Sequence, residues 1–264
     1  AMLRTACKAL LATVILAMPI VEASEKSLAV KLDAVVQEGM SRTQTQGLAI
    51  AVIDDGKVEL VKTWGRRNGN GDPLTTDTVM YGASLTKAVF AYTVMQLVQE
   101  GKIDLDTPIA SYLPKPLPEY TEEEEKYAAW QYLAGDERWR QLTPRMLLTH
   151  SSGFSNFGFL EPDGKLKFHF DPGARYAYSG DGLILLQFVI ERGLGIDVGM
   201  EMQRRVFDRL GMQNTSMTWR PDFAANLADG WKTDGSIEAH DERSKTRAAG
   251  SMDTTIADFA RFAA

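Results

Sequence analysis

Two short apolar runs near the beginning of the chain place the strongest constraint on its fold. Residues 48–53 and 58–64 are rich in aliphatic and β-branched side chains, and Asp54-Asp55-Gly56-Lys57 separates them. A polar, glycine-containing turn between two such runs predicts a β-hairpin. Apolar faces and continuous apolar runs predict helices further along, over residues 27–40, 84–100, 183–190, 197–210 and 255–262. Strands that come early and helices that follow favour an α/β body with a helical subdomain.

One more helix start is predicted from a local signal at Thr121. Thr121 and Glu124 have the spacing of a capping box, in which side chains and backbone N–H groups bond reciprocally. Residues 122–125 are all glutamate, and a helix dipole favours acids in the first turn. We favour a solvated helix start for this acidic run over a cation site or partner site.

The first 23 residues have the pattern of a secretory signal peptide. Arg4 and Lys8 precede an apolar run over residues 9–21, and Val21-Glu22-Ala23 supplies residues that a signal peptidase accepts. The apolar run is short for a membrane span, although an uncleaved anchor is the alternative. We therefore predict a signal peptide over residues 1–23 and a single domain over residues 24–264. Such a protein would be periplasmic or secreted, with no stable membrane insertion after cleavage.

Charge and metal-binding residue types exclude several classes of function. The formal net charge is −6, and it becomes −7 without residues 1–23, because Arg4, Lys8 and Glu22 leave together. This acidic balance argues against nucleic acid and anionic membranes as partners. Cys7 is the only cysteine, so the mature part can form no disulfide. The three histidines lack metal-type spacing, and we predict neither a metal nor another cofactor.

A serine and a lysine stand three residues apart at the predicted start of the 84–100 helix. Ser84 and Lys87 therefore share a helix face. A helix N-terminus stabilises negative charge near the serine hydroxyl, and burial of Lys87 under the apolar helix would favour a neutral amine that accepts the serine proton. The alternative is a helix-capping serine beside a surface lysine.

A tyrosine can complete this pair as a proton shuttle. Arg175-Tyr176-Ala177-Tyr178-Ser179-Gly180 follows Lys87 by about 90 residues and comes just before an apolar helix. Tyr178 is the candidate for the shuttle, and Tyr176 is predicted to be a packing residue. Tyr178 could also be an amphipathic packing residue with a satisfied hydroxyl.

From residue 47 to residue 262 the chain resembles a known superfamily in the order and spacing of its motifs. This is the superfamily of penicillin-recognising serine hydrolases, which includes class C β-lactamases, D,D-peptidases and esterases. The matching stretches are residues 47–56, Tyr81-Gly82-Ala83-Ser84-Leu85-Thr86-Lys87, residues 99–106, Tyr112-Leu113-Pro114, residues 147–153, Tyr178-Ser179-Gly180 and Ala249-Gly250-Ser251-Met252. The resemblance implies a β-lactamase/transpeptidase-like fold, with an antiparallel central sheet flanked by helices and a mostly helical subdomain.

The resemblance also implies roles for individual residues. Ser84 would be the nucleophile that accepts the acyl group, Lys87 its proton partner, and Tyr178 the second proton-relay residue. The division of base duty between Lys87 and Tyr178 stays open. The backbone N–H of Ser84 would supply half of an oxyanion hole, and His150 would lie in a structural turn beside the site. A small acyl compound is the partner implied.

The chain departs from the superfamily pattern at two motifs. The second motif usually reads Tyr-x-Asn, in which the amide holds the acylamino carbonyl of a β-lactam or peptide, and Gly180 stands in the place of that asparagine. We therefore expect esters as substrates, with Ser179 and Gly180 lining the substrate site. The third motif, of Lys-Thr-Gly or His-x-Gly type, is absent. We expect it, the final strands and the second oxyanion donor to lie beyond Ala264.

Taken together, these patterns predict an exported serine hydrolase that acts through a covalent acyl-enzyme on carboxylic esters or related small acyl compounds. Within the same class, a β-lactamase or a D-alanyl-D-alanine carboxypeptidase is the alternative. A non-catalytic protein that binds penicillin or cell wall is the alternative of another class. An exported helical protein with coincidental motifs is the third, and it predicts no activity that depends on Ser84.

Overall fold

The computed structural model describes the backbone of residues 18–264 and the side chains of residues 28–264. The predicted signal peptide lies outside the described residues as far as residue 17. Helix α1 (Met18–Thr43) extends the predicted 27–40 helix at both ends. Among residues 18–264, none of the helices combines the length and the apolar character that crossing a membrane requires.

The predicted hairpin is confirmed. Strands β1 (Gly47–Asp54) and β2 (Lys57–Gly65) pair antiparallel, from Gly47 opposite Gly65 to Asp54 opposite Lys57, with a register shift after Val52. The turn residues Asp55 and Gly56 both have positive φ, at 48° and 68°. This conformation matches the right-handed twist of the two strands, and glycine adopts it at little steric cost.

Two short antiparallel pairs complete the strands of the described part. Strand β3 (Met80–Tyr81) pairs with β6 (Asp253–Thr254), and β4 (Gly230–Trp231) pairs with β5 (Ile237–Glu238). The β3–β6 pair matters for function, because the chain runs directly from β3 into the segment that carries Ser84.

Helices outnumber strands after the hairpin, as predicted. Helix α2 (Thr86–Gln99) buries Val89, Phe90, Val94 and Leu97 in the main core, and Gly101, with a φ of 70°, follows its end. The other α-helices of residues 18–264 are α3 (Pro144–Leu148), α4 (Gly180–Phe188), α5 (Val198–Met202) and α6 (Ile256–Ala263). Helices α4 and α5 each continue as a π-helical turn, over Val189–Gly193 and Gln203–Phe207.

All nine residues of helix α4 are buried. Its first residue follows Ser179, so the predicted shuttle Tyr178 stands at the entry to this rigid helix. Rigid helices thus hold both halves of the candidate site, with α2 after Ser84 and α4 after Tyr178.

The predicted helix start at Thr121 is wrong. Residues 121–124 have no regular structure, and a turn follows at residues 125–127. Long-range contacts hold this segment instead: the Tyr127 hydroxyl donates a hydrogen bond to Glu191 Oε1 at 2.8 Å, and Glu124 pairs with Arg192. Because these contacts reach the end of the α4 π-turn, tertiary packing outweighs the local capping signal.

Candidate active site

Ser84 is placed by a close contact between two backbone segments. The N–H of Gly82 donates a hydrogen bond to the Met252 carbonyl at 2.8 Å, and a Cβ on Gly82 would lie only 2.9 Å from the same oxygen. Glycine is therefore needed for this approach. The next residue, Ala83, has a φ of 45°, which is uncommon for any residue other than glycine. Such strain is often found beside reactive residues.

Ser84 itself is exposed in the 3₁₀ turn Ala83–Leu85 that leads into α2. Lys87 lies one turn later, and only 8% of it is exposed. Its Nζ donates hydrogen bonds to Ser84 Oγ at 3.0 Å and to the Ala249 carbonyl at 2.5 Å. The pattern predicted from the Ser84–Lys87 spacing is thus present as a direct contact, with the amine buried and the hydroxyl accessible.

Tyr178 reaches the same oxygen from the other side. Its hydroxyl donates a hydrogen bond to Ser84 Oγ at 2.8 Å, and Lys87 Nζ lies 4.9 Å from the centre of its ring. Burial by itself raises the pKa of the Tyr178 phenol, but hydrogen bonding with Lys87 and Ser84 and the charge of Lys87 oppose it, so that the pKa falls below its ordinary value. Three groups that can exchange a proton therefore meet at Ser84 Oγ.

Two residues that the sequence reasoning missed hold the Ala249 carbonyl in place. Gln187 on α4 is fully buried; its Nε2 donates to the Thr246 carbonyl at 2.9 Å, and its Oε1 accepts the Ala248 N–H at 2.7 Å. Thr86 Oγ1 accepts the Met252 N–H at 3.1 Å. The sequence signal that could have pointed to Gln187 is a glutamine inside an otherwise apolar run, because a buried amide side chain needs a polar partner.

His150 supports the segment that carries Tyr178. It lies in a turn with a φ of 55°, as expected, and its Nδ1 accepts the Ser179 N–H at 3.0 Å. Its ring lies 4.5 Å from that of Tyr178. Burial, together with the charge of Lys87, lowers the pKa of His150, which favours the neutral ring that this hydrogen bond requires. Tyr176, predicted to pack, is instead 68% exposed, and its ring makes an edge contact with that of His150.

Ser179 and Gly180 do not offer polar groups to a substrate. The Ser179 side chain is fully buried, where Oγ accepts the Gly182 N–H at 3.0 Å and donates to the Ser155 carbonyl at 2.8 Å. It is the N-cap of α4. The Gly180 N–H donates to Asn156 Oδ1 at 2.9 Å. The Ser179 hydroxyl and the Gly180 N–H are thus engaged in structural hydrogen bonds, and the place of the two residues in the substrate site stays a prediction.

A cavity of about 940 Å³ lies elsewhere in the described residues and is lined by Tyr81, Trp231, His240 and Arg243 among others. Ser84, Lys87 and Tyr178 do not line it. His240 Nε2 there lies 3.2 Å from Oδ1 of the buried Asp253, and burial raises the pKa of that carboxyl.

No group of three or more side chains suited to hold a metal ion occurs in the part of the chain that the structure describes. The hydrogen-bond geometry around Ser84 thus defines the candidate active site.

Comparison with known proteins shows the family. A family model described as Beta-lactamase matches residues 32–264, and the chain belongs to this family. It is 29% identical over 231 residues to Lovastatin esterase of Penicillium rubens, covering 75% of this chain and 56% of that protein. It is 26% identical over 234 residues to Esterase EstB of Burkholderia gladioli, covering 77% of this chain and 56% of that protein.

Solved structures show the same fold. The D-alanine carboxypeptidase AmpC from Burkholderia cenocepacia matches with a TM-score of 0.72 at 24% identity, over 90% of this chain and 64% of that one. A class C β-lactamase matches with a TM-score of 0.73 at 20% identity, over the same shares of the two chains. The β-lactamase/transpeptidase-like fold predicted from the sequence is confirmed. The chain spans little more than half the length of the curated relatives it matches.

Proposed function

We propose that the protein is a serine hydrolase that cleaves carboxylic esters through a covalent acyl-enzyme on Ser84. The observation that carries this proposal is the convergence of Lys87 Nζ and the Tyr178 hydroxyl on Ser84 Oγ, at 3.0 Å and 2.8 Å. A serine hydroxyl is a weak nucleophile until a neighbouring base accepts its proton. Lys87 and Tyr178 are two candidate bases within hydrogen-bond distance of Ser84 Oγ, so the site needs no histidine to accept the proton.

In the first half of the reaction, Ser84 Oγ attacks the ester carbonyl carbon, and its proton passes to the deprotonated member of the Lys87–Tyr178 pair. The Ser84 N–H, at the start of a helix, is the proposed donor to the oxygen that becomes negative. The tetrahedral intermediate collapses when the bond to the alcohol oxygen breaks. Tyr178 gives a proton to that oxygen, so an alcohol leaves and an acyl-serine remains.

In the second half, water attacks the acyl-serine and gives its proton to Tyr178 or Lys87. Ser84 Oγ then leaves and recovers a proton from the same relay. One ester and one water become one acid and one alcohol. Because both relay groups touch Ser84 Oγ, either can act in each half.

Three observations favour esters over β-lactams or D-alanyl peptides. Gly180 provides no amide at the position where the Tyr-x-Asn pattern has one, and the Phe157 ring occupies the space where a side chain at this position would begin. Esterases are among the curated relatives. A carboxypeptidase and β-lactamases are among the structural neighbours, so these activities are the second candidate.

Export to the periplasm or the medium is part of this proposal. It rests on the basic and apolar pattern of residues 1–23. The acidic net charge supports a small acyl compound, rather than nucleic acid or an anionic membrane, as the partner.

The test compares hydrolysis of p-nitrophenyl acetate, benzylpenicillin and a D-alanyl-D-alanine peptide by three proteins: wild type, Ser84→Ala and Ser111→Ala. Ser111 is an exposed serine remote in sequence from the site and serves as the matched control. We expect rapid ester cleavage by wild type and Ser111→Ala, and a loss of at least about 10³-fold in Ser84→Ala. Preferred cleavage of penicillin or peptide would favour the second candidate. Equal ester cleavage by all three proteins would refute the proposal.

A further inference from the structure

A loop beside Tyr178 is fixed to the chain that follows this tyrosine. The Ser155 carbonyl and the Asn156 side chain bond to Ser179 and Gly180, as described above. In addition, the Asp181 N–H donates to the Asn156 carbonyl at 2.9 Å, and the Gly158 N–H donates to Asp181 Oδ2 at 2.6 Å. Four hydrogen bonds therefore hold residues 155–158 in a set position next to the reactive tyrosine.

This loop presents an apolar surface instead of polar groups. The Phe157 ring lies against Gly180, so close that a Cβ there would overlap its Cε1 and Cζ atoms. The Phe159 ring stacks on the Phe157 ring, with centres 5.1 Å apart and planes at 14°. Phe159 is 68% exposed and the next residue, Leu160, is 62% exposed. We call Phe157, Phe159 and Leu160 the aromatic ridge.

An exposed group of large apolar side chains needs an explanation, because such patches mark binding surfaces more often than chance. Folding alone does not explain it, since Phe159 and Leu160 stay mostly in contact with solvent. The position of the ridge suggests a function: the Phe157 ring lies against Gly180, two residues after Tyr178, so the ridge begins beside the segment that carries the reactive tyrosine. Glycine at 180 is what allows the first ring to lie there.

We infer that the aromatic ridge is the acyl-binding wall of the site and that it selects esters with an apolar acyl chain. This inference rests on the proposed esterase function and adds the substrate class to it. Ring faces and a leucine side chain offer dispersion contacts and burial to methylene groups but no hydrogen bonds to a polar acylamino group. The side-chain amide of Asn156 lies beside Gly180, and its Oδ1 already accepts the Gly180 N–H.

The expected preference is moderate because the ridge is open on one side. A fully buried methylene improves binding by about fourfold, and contact on one face gives roughly half of that free energy, or about twofold per methylene. For wild type we therefore expect kcat/KM to rise about twofold per added methylene from p-nitrophenyl acetate to the hexanoate, which is about 16-fold over four methylenes.

The test measures this series for wild type, Phe159→Ala, Phe159→Leu and Met200→Ala. Met200 is an equally exposed apolar residue on α5 and serves as the matched control. We expect Phe159→Ala to lose most of the rise with chain length, so that its ratio of kcat/KM for hexanoate over acetate falls toward one. Phe159→Leu should keep part of the rise, and Met200→Ala all of it. Because the Phe159 side chain is exposed, its removal should leave the melting temperature unchanged.

A second series of acetate esters with lengthening alcohols distinguishes the two ends of the substrate. If Phe159→Ala flattens the alcohol series and leaves the acyl series as in wild type, the assignment to the acyl chain is wrong. An acyl series that is the same in Phe159→Ala and wild type also overturns the inference. Either result would refute the inference about the ridge even if acetate cleavage depends on Ser84. The esterase proposal fails only if acetate cleavage does not depend on Ser84.

Discussion

The reactive centre and the aromatic ridge are neighbours that are built in opposite ways. At the reactive centre, Ser84, Lys87 and Tyr178 are polar groups from two distant parts of the chain, joined by hydrogen bonds of 3.0 Å and 2.8 Å. On the ridge, Phe159 and Leu160 are exposed apolar side chains of one short loop, and the Phe159 ring stacks on that of Phe157.

This difference suggests that one region carries out the chemistry and the other selects the substrate. Under the proposed function, the polar groups act on the ester linkage that all substrates share. The ridge contacts only the acyl chain, which differs between substrates. Changes at the reactive centre should therefore lower the rate for every ester by the same factor. Changes at the ridge should alter the order of preference among esters.

The largest effect is expected from Lys87→Met. This variant removes one candidate base and leaves the Ala249 carbonyl without its 2.5 Å donor. We expect kcat for p-nitrophenyl acetate and hexanoate to fall by the same factor, about 10³ or more. Steady-state kinetics with Lys232→Met, at an exposed lysine, provides the control. Unequal losses for the two esters would show that the two regions are not separate.

Tyr178→Phe should have the next largest effect. The ring stays against Lys87 and His150, and only the hydroxyl is lost, so we expect kcat to fall about 10²-fold for all esters. The pKa of this phenol is below its ordinary value. More tyrosinate is then present at a given pH, and the wild-type rate should rise with pH with a midpoint below 10. A pH–rate profile of Tyr178→Phe that keeps the same rise would contradict the role of Tyr178 as a base.

Gly180→Ala tests how the ridge is attached to the reactive centre. The new Cβ would overlap the Phe157 ring, so we expect a melting temperature lower by several degrees and a weaker dependence on acyl chain length. In a Phe157→Ala background the same substitution should cost little, because the ring is gone. The double-mutant cycle checks this, and additive effects on the melting temperature would show that the two residues do not interact.

The smallest effect is expected from Asp181→Asn, at the anchor of the ridge. Burial raises the pKa of this carboxyl to about 6. The folded state then holds its proton up to about pH 6, whereas the unfolded chain loses it near pH 4. The contribution of this carboxyl to the free energy of unfolding is therefore fully present below pH 4 and is lost as the pH rises to about 6.

Asparagine keeps an acceptor for the Gly158 N–H but does not ionise. The melting temperature of Asp181→Asn relative to wild type should therefore increase by a few degrees between pH 4 and pH 7, with little change in kcat. A difference that stays constant over this pH range, measured by thermal denaturation in matched buffers, would argue against a buried carboxyl with a raised pKa.

The reactive centre was open to prediction from the sequence because its parts are local or follow a recognisable order. Ser84 and Lys87 lie one helical turn apart, and Tyr178 comes just before a long apolar run, so the helices that carry them could be anticipated. The hairpin was predictable for the same reason, since its turn and both strands are contiguous.

The ridge was not predictable, because it depends on a contact between Phe157 and Gly180, which are far apart in the sequence. The sequence shows that an asparagine is missing at 180 but not what fills its place. Gln187 was missed for a related reason: its two backbone partners, near Ala248, belong to another segment. At Thr121 the error runs the other way: the local capping signal predicts a helix, but contacts with the π-turn that follows α4 outweigh it.

The most direct test of the account is the mass of the protein stopped with acid during turnover of p-nitrophenyl butyrate. The account predicts a fraction of wild-type molecules heavier by one butyryl group, located by peptide mapping at Ser84, and no such species in Ser84→Ala. Tyr178→Phe should accumulate or lose this species according to which half of the reaction it slows more. A butyryl group on another residue, or an adduct that persists in Ser84→Ala, would contradict the assignment of Ser84 as the nucleophile.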